Sequence, residues 1–70
     1  MRFREAVETV LREEAPQELH WTRVQDLALR RGYLDPFTQR DIRRGVLTTL
    51  AALAREGAAV RTGKGVYRAP

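Results

Sequence analysis

Arginine side chains recur within one stretch of the chain at spacings that suit contacts with phosphates or bases. The stretch is TQRDIRRGVLTTLAALAREG, residues 38–57. In a helix with 100° per residue, Arg40 and Arg44 lie on one side, and Arg43 and Thr48 lie on its two flanks. Arginine can donate two parallel hydrogen bonds to a phosphate or a guanine, so this face could enter a DNA major groove. A solvated charged face on a purely structural helix would give the same pattern.

Apolar residues in the same stretch predict the helix that must hold these arginines. They recur at helical spacing and form a stripe that can face a core: Ile42, Val46, Leu50 and Leu53. We predict the helix over residues 39–56, capped either by Asp35 with Pro36 as the first helical residue or by Thr38. Gly45 lies at the edge of the stripe, where close packing against another helix or a local kink would explain a glycine.

Length and composition restrict the class of protein. We expect one domain over residues 1–70, and a chain of this size buries only about 60% of the surface that it exposes when unfolded. It has no cysteine and a single histidine, so we expect no metal and no cofactor. No apolar run is long enough to span a membrane, and the N-terminus does not resemble a secretory signal. We therefore expect a cytoplasmic protein.

Basic side chains are concentrated after residue 20. Residues 1–20 contain three arginines and five glutamates, whereas residues 21–70 contain ten basic and four acidic side chains. Twelve of the thirteen basic residues are arginine. This asymmetry predicts an acidic end and a basic end of the molecule, and a basic end attracts polyanions such as nucleic acid.

A first helix and a short extended segment are predicted at the start of the chain. The helix covers residues 2–14 and has an acidic outward face, so it should point away from nucleic acid. In the extended segment, Leu19 and Trp21 would share one face and His20 would lie on the other. A lone histidine in this setting is most often a surface or hydrogen-bonded residue, so we expect no catalytic or metal-binding role for it.

A second helix is predicted over residues 23–31. Thr22 would be its N-cap, in a capping box with Gln25, and Gly32 would end it in the left-handed conformation. The turn that follows is expected to tuck three apolar residues under the helices: Tyr33, Leu34 and Phe37.

Two arginines lie on one flank of this second helix, two turns apart. Arg23 and Arg30 could contact phosphates on either side of a groove, or they could form a surface network with Asp26. We favour the network for Arg23 and the phosphate contact for Arg30.

After residue 57 the apolar pattern changes from helical to alternating and predicts a β-hairpin over residues 58–69. A two-residue type II′ loop at Gly63 and Lys64 would place Val60 across from Tyr67 on the core face. If Gly65 instead belongs to a three-residue bulged loop, the faces of the partner strand exchange. The Lys64 side chain is exposed at the tip in both cases.

The order of these elements resembles that of a small winged helix domain, which is an α+β fold. The second and third helices would form a helix-turn-helix, the hairpin would be the wing, and Leu19–Trp21 would complete a three-stranded sheet.

Longer motifs resemble the winged helix modules that are fused to restriction endonucleases and chromatin proteins, and the N-terminal domain of the bacterial RNA polymerase delta subunit. Those modules show L-[HY]-[WY]-x-x-[IVL] at the second helix, R-G at its end, R-E-G at the end of the third helix, and V-R-x-G-x-G-x-Y-R in the wing. The matching residues here are Leu19–Val24, Arg31–Gly32, Arg55–Gly57 and Val60–Arg68.

The resemblance implies a DNA-binding protein in transcription regulation, without catalytic activity. It implies that the third helix lies in the major groove of double-stranded DNA and that the wing contacts the backbone or the minor groove. The residues expected to contact DNA are Arg30, Arg40, Arg43, Arg44, Thr48, Arg61, Lys64 and Arg68.

Two other functions can be weighed on sequence alone. An adaptor that docks on RNA polymerase or another nucleic-acid machine is the alternative. Leu29 and Leu47, both predicted to point outward, would suit a protein partner or a homodimer. An enzyme is not indicated, because no nucleophile–base pair, metal-ligand spacing or phosphate-binding glycine loop is present.

Overall fold

Three helices and three short strands follow one another in the predicted order. The protein is described by a computed structural model that covers residues 1–70. Its elements are α1 (Phe3–Glu14), β1 (Leu19–His20), α2 (Trp21–Arg30), α3 (Ile42–Glu56), β2 (Val60–Gly63) and β3 (Val66–Arg68).

The core lies between the three helices and contains only apolar side chains. The predicted inward stripe of α3 is confirmed: Val46, Leu50 and Leu53 are completely buried. Ile42, the first residue of α3, is half-buried and packs against the same core. The stripe therefore fixes which side of α3 remains available to a ligand.

A close contact between α1 and α3 explains the glycine inside the long helix. A Cβ atom placed on Gly45 would overlap the ring of Phe3, which is half-buried at the start of α1. Of the two sequence-based explanations, helix–helix packing is the one confirmed. The missing side chain lets the aromatic ring lie directly on the α3 backbone.

The start of α3 differs from the prediction by three residues. Asp41 adopts a left-handed conformation with φ of 52° and is the N-cap residue, but its side chain makes no capping hydrogen bond. Residues 35–39 form a separate turn, in which the Asp35 carbonyl oxygen accepts hydrogen bonds from the backbone of Thr38 and Gln39. Because that turn closes on itself, neither Asp35 nor Thr38 caps the helix.

The start of α2 also differs from the prediction. His20 is the N-cap residue, and its Nδ1 atom accepts a hydrogen bond from the Thr22 backbone N–H at 3.3 Å. Trp21 is helical rather than extended, and its backbone N–H donates to the Gly65 carbonyl oxygen at 2.8 Å. The predicted capping box does not form, and the Gln25 side-chain oxygen is buried without a hydrogen-bond partner.

The three strands form an antiparallel sheet in the order β1-β3-β2. The wing, strands β2 and β3, does not have the type II′ register, because Val60 pairs with Arg68 and Arg61 pairs with Tyr67. Gly65 has φ of 71°, and the register shifts next to the loop. This is the bulged-loop alternative, in which the glycine supplies the left-handed residue. The Lys64 side chain is exposed, as predicted.

Two predictions about exposed and buried apolar residues are wrong. Phe37 does not tuck under the helices: it is 95% exposed. Leu29 does not point fully outward, because it is partly buried against the core, whereas Leu47 is half-exposed and is not packed against it. The core is already filled by Leu34 and the stripe of α3, so the turn leaves Phe37 outside.

Three helices and a three-stranded antiparallel sheet with a C-terminal hairpin match a small winged helix, and the predicted fold class is confirmed. None of the three helices is both long enough and apolar enough to cross a membrane.

Candidate nucleic-acid interface

The outward side of α3 carries two shallow depressions over its first two turns. One has a volume of about 360 Å³ and includes Arg40, Arg44 and Thr48 in its lining. The other has a volume of about 280 Å³ and includes Arg43, Arg44 and Thr48. Because Arg44 and Thr48 line both, they lie between the two depressions. The structure thus brings together four of the predicted residues, although Arg40, predicted within the helix, lies two residues before its start. We refer to Arg40, Arg43, Arg44 and Thr48 as the α3 face.

The arginines of the α3 face have no acidic partners. Salt bridges involve only four of the thirteen basic side chains: Arg4, Arg23, Arg30 and Arg31. Asp41 lines both depressions, yet it forms no salt bridge with the arginines around it. A phosphate that binds to the α3 face would therefore not have to displace a carboxylate.

Arg43 is held differently from its neighbours. Its guanidinium carbon lies 5.4 Å from the centre of the Trp21 ring, within the distance of a cation–π interaction. A Cβ atom placed on Gly65 would lie 3.1 Å from Trp21 Cδ1, so the wing loop also contacts this ring. Trp21 therefore joins the start of α3 to the wing tip, where Lys64 precedes Gly65.

Sequence reasoning missed this role of the only tryptophan. It assigned Trp21 to a sheet face, whereas the ring sits where α2, α3 and the wing meet. Its contacts are with Arg43 and Gly65, more than 20 residues away along the chain. The only local signal in the sequence was that two aromatic residues, His20 and Trp21, are adjacent. In the structure the centres of their rings lie 5.7 Å apart.

The wing residues that were predicted to contact DNA differ in side-chain exposure and in the hydrogen bonds that they form. The side chains of Arg61 and Lys64 are exposed, and Arg61 Nε donates to the Gly63 carbonyl oxygen at 3.2 Å. Arg68 is half-buried, and its Nη1 atom donates to the Ala69 carbonyl oxygen at 2.9 Å. Neither arginine has a carboxylate partner.

Arg30 is the one predicted DNA-contacting residue that has an acidic partner. Its Nε atom lies 3.0 Å from Asp26, and Arg23 lies 3.3 Å from the other oxygen of the same carboxylate. The surface network considered from the sequence is therefore present. Arg30 is still 73% exposed, and a surface ion pair of this kind contributes little to stability.

Several acidic residues of α1 and the last residue of α3 form ion pairs with arginines outside the α3 face and the wing. Arg4 donates two hydrogen bonds to Glu56, at 3.1 and 2.8 Å, and these lower the pKa of the Glu56 carboxyl. The Tyr33 hydroxyl donates to Glu13 at 2.6 Å and lowers the pKa of that carboxyl, and Arg31 contributes in the same direction. The basic charge without carboxylate partners is thus mainly that of α3 and the wing.

No other part of the molecule offers a comparable arrangement of charged side chains. The structure contains no group of three or more histidine or acidic side chains that could hold a metal ion. A groove of about 450 Å³ lies between α1 and the C-terminal residues, lined in part by Glu8, Arg12 and Pro70.

The fold and these charges define a class, a small winged helix with an unpaired basic face. Comparison with models of known protein families, with curated proteins and with solved structures finds no match to this chain. A winged helix can serve several functions, so function has to be inferred from the side chains that it carries.

Proposed function

We propose that the protein is a non-enzymatic winged helix that binds double-stranded DNA through α3 and the wing. The observation that carries this proposal is the distribution of ion pairs. All basic side chains of the α3 face and the wing lack a carboxylate partner, and Trp21 links these two regions. Neutralising phosphates with such charges releases counterions and supplies most of the affinity of a DNA-binding domain.

The α3 face supports a role for this helix in the major groove. Arg44 and Thr48 are exposed on successive turns, about 6 Å apart along the helix axis. Both are suited to base edges: arginine can bind the O6 and N7 atoms of guanine, and threonine can donate or accept a hydrogen bond. The helix N-terminus also favours negative charge through its dipole, which suits a phosphate beside Arg40.

We assign contacts with the DNA backbone to two kinds of side chain. One kind is already held in a fixed orientation, and the other carries a charge without directional preference. Arg43 lies over Trp21, so its guanidinium is already oriented, and we assign it to a phosphate next to the wing. Lys64 carries a point charge at the hairpin tip, and with Arg61 it would contact the backbone or the minor groove. Arg30 and Arg68 would add phosphate contacts at the edge of the interface.

The sequence resemblance to modules of restriction endonucleases, chromatin proteins and the RNA polymerase delta subunit supports the same proposal. On that basis we propose a role in transcription regulation or another DNA-associated process; the cytoplasmic location expected from the sequence remains part of this proposal.

An adaptor that docks on RNA polymerase or another nucleic-acid machine is the second candidate. The observation in its favour is Leu47, which is half-exposed on the outward side of α3 and lines a depression beside Arg44. Leu29 gives it less support, because that side chain packs against the core.

A salt titration tests the proposed function. If three to five of the six basic residues assigned to the backbone contact phosphates in the complex, the logarithm of the affinity for duplex DNA should fall with the logarithm of salt concentration with a slope of about −3 to −4.5. Arg55→Ala is a matched control, because Arg55 is exposed and unpaired in the last turn of the same helix. This variant should leave the slope unchanged. Absence of binding at low salt would refute the DNA proposal and favour the adaptor.

A further inference from the structure

Phe37 is exposed to an extent that its residue type does not explain. It is 95% exposed, and Met1, at 54%, is the only other large apolar residue with a largely exposed side chain. The ring takes no part in the core, so its contribution to folding is small. An aromatic side chain left in water in this way is available to a ligand.

The backbone that carries this ring forms a hydrogen-bonded turn. The Asp35 carboxylate accepts a hydrogen bond from the Phe37 N–H at 2.9 Å. The Gln39 side-chain oxygen accepts one from the Asp35 N–H at 2.8 Å, and the Asp35 carbonyl oxygen accepts from Gln39 at 2.9 Å. The turn therefore presents Phe37 in a defined position rather than on a frayed loop.

Charged side chains of both signs lie near the ring. Arg40 follows Phe37 by three residues, so their Cα atoms are at most about 11 Å apart. Arg40 has no carboxylate partner, and it lines the depression that it shares with Arg44. The Asp35 carboxylate accepts a hydrogen bond from the Phe37 N–H and keeps its negative charge. The turn that carries Phe37 leads directly to Arg40, so the ring lies at the edge of the α3 face.

A nucleobase fits this setting better than a protein surface does. A stable protein interface needs on the order of 1,000 Å² with an apolar centre. The other exposed large apolar residue, Met1, is held to the same turn by a hydrogen bond from Gln39 to its carbonyl oxygen, and two side chains do not make up such a centre. A nucleobase needs only one aromatic ring to stack on. In an intact duplex, however, the faces of the bases are covered by their neighbours. Only an unpaired base offers a free face.

We propose that Phe37 stacks on an unpaired base next to the duplex that α3 contacts, so that the protein prefers duplexes containing unpaired bases. The inference rests on the proposed function, because the adjoining duplex has to be bound by the α3 face. The inference adds a class of ligand to the proposed function: DNA in which a paired segment adjoins an unpaired one.

The test compares an intact duplex with the same duplex carrying a three-nucleotide bubble, using fluorescence anisotropy. The wild type should bind the bubble more tightly. Phe37→Ala should lose about 5- to 150-fold in affinity for the bubble, the equivalent of one stacked base, and less than about twofold for the intact duplex. Phe37→Trp should retain the preference. Thr38→Ala, at an exposed neighbour in the same turn, is the matched control and should behave as wild type.

The outcomes separate the two proposals. Equal wild-type affinity for both DNAs, or an equal loss on both in a Phe37→Ala variant with an unchanged thermal melt, would overturn the stacking role. If the intact duplex is not bound but the bubble is bound in a Phe37-dependent way, the duplex proposal fails and the stacking contact stands. A self-association seen by sedimentation and abolished by Phe37→Ala would assign the ring to an interface between two copies and overturn the inference.

Discussion

At the scale of single residues, the basic side chains differ in what they contact. Arg4 and Arg31 are engaged by glutamates, Arg43 lies over an aromatic ring, and Arg44 has none of these partners. A guanidinium without a partner keeps its hydrogen-bond donors available for planar, bidentate recognition. The type of residue is thus less informative than its surroundings, because twelve arginines are present and few of them are suited to base contacts.

Alanine substitutions should separate base recognition from backbone binding. Arg44→Ala should lower the affinity for a preferred site by about 1–3 kcal/mol and relax the preference at particular positions, because a bidentate base contact is lost. Lys64→Ala should weaken binding to all sequences equally and reduce the salt slope by roughly one unit. Competition binding with a library of duplexes measures both effects. If Lys64→Ala altered sequence preference and Arg44→Ala only scaled affinity, the wing rather than α3 would recognise the bases.

At the scale of elements, one glycine determines how α1 packs on α3. The ring of Phe3 occupies the space that a side chain at position 45 would need. The same residues lie beside Arg40 and Arg44 in the larger depression of the α3 face. The packing of the two helices therefore shapes the surface on which the proposed ligand would bind.

Gly45→Ala should destabilise the protein by about 1–3 kcal/mol, because the added methyl group overpacks the contact with Phe3. In a Phe3→Ala background the same change should instead stabilise by up to about 1 kcal/mol, since alanine is the better helix former and the ring is gone. Urea denaturation of the four proteins in this double-mutant cycle measures the coupling. If the changes in the free energy of unfolding caused by the two substitutions were additive, the Phe3 ring would have to move out of the way of the new methyl group at no cost.

At the scale of the whole molecule, the charges are segregated. Salt bridges tie α1 to the ends of the other two helices: Arg4 of α1 binds Glu56 at the end of α3, and Glu13 and Glu14 of α1 bind Arg31 just after α2. These contacts join the ends of helices that are distant in sequence. Six of the nine basic side chains that form no salt bridge belong to the α3 face and the wing, and the other three are Arg2, Arg12 and Arg55.

Stability should decrease in acid because two of these glutamates have lowered pKa values. The hydrogen bond from Tyr33 lowers the pKa of Glu13 below its ordinary 4.5, and the hydrogen bond from Arg4 does the same for Glu56. Because the folded-state pKa lies below the unfolded one, the stabilisation is present above pH 4.5 and is lost as the pH falls through the lowered values. Urea denaturation at pH 7 and pH 3 measures the change.

The control for this pH dependence removes the two carboxyl groups. A Glu13→Gln, Glu56→Gln double variant should have a lower free energy of unfolding at pH 7 and a weaker dependence on pH. Glu5→Gln should leave the dependence as it is, because Glu5 forms no salt bridge. An unchanged dependence in the double variant would place the acid-sensitive groups elsewhere in the molecule.

The sequence by itself determined the elements, their order and the buried side of α3. These follow from local rules, since the apolar period distinguishes a helix from a strand, and glycine stops a helix wherever positive φ is required. Gly32 and Gly57 do so here, with φ of 74° and 79°. The bulged loop of the wing was among the alternatives, but the choice between the two registers could not be made from the hairpin alone.

Only the tertiary structure decided where α2 and α3 begin, where Phe37 lies and what Arg43 contacts. Each of these depends on partners that are distant in sequence. The Trp21 N–H is bound by the Gly65 carbonyl oxygen, and Arg43 is held by the Trp21 ring. Phe37 lies outside the core because the hydrogen-bonded turn of residues 35–39 carries it there, while Leu34 of the same connection is buried. Local propensities for helix starts differ by little more than 1 kcal/mol, so contacts formed only in the folded chain select among them.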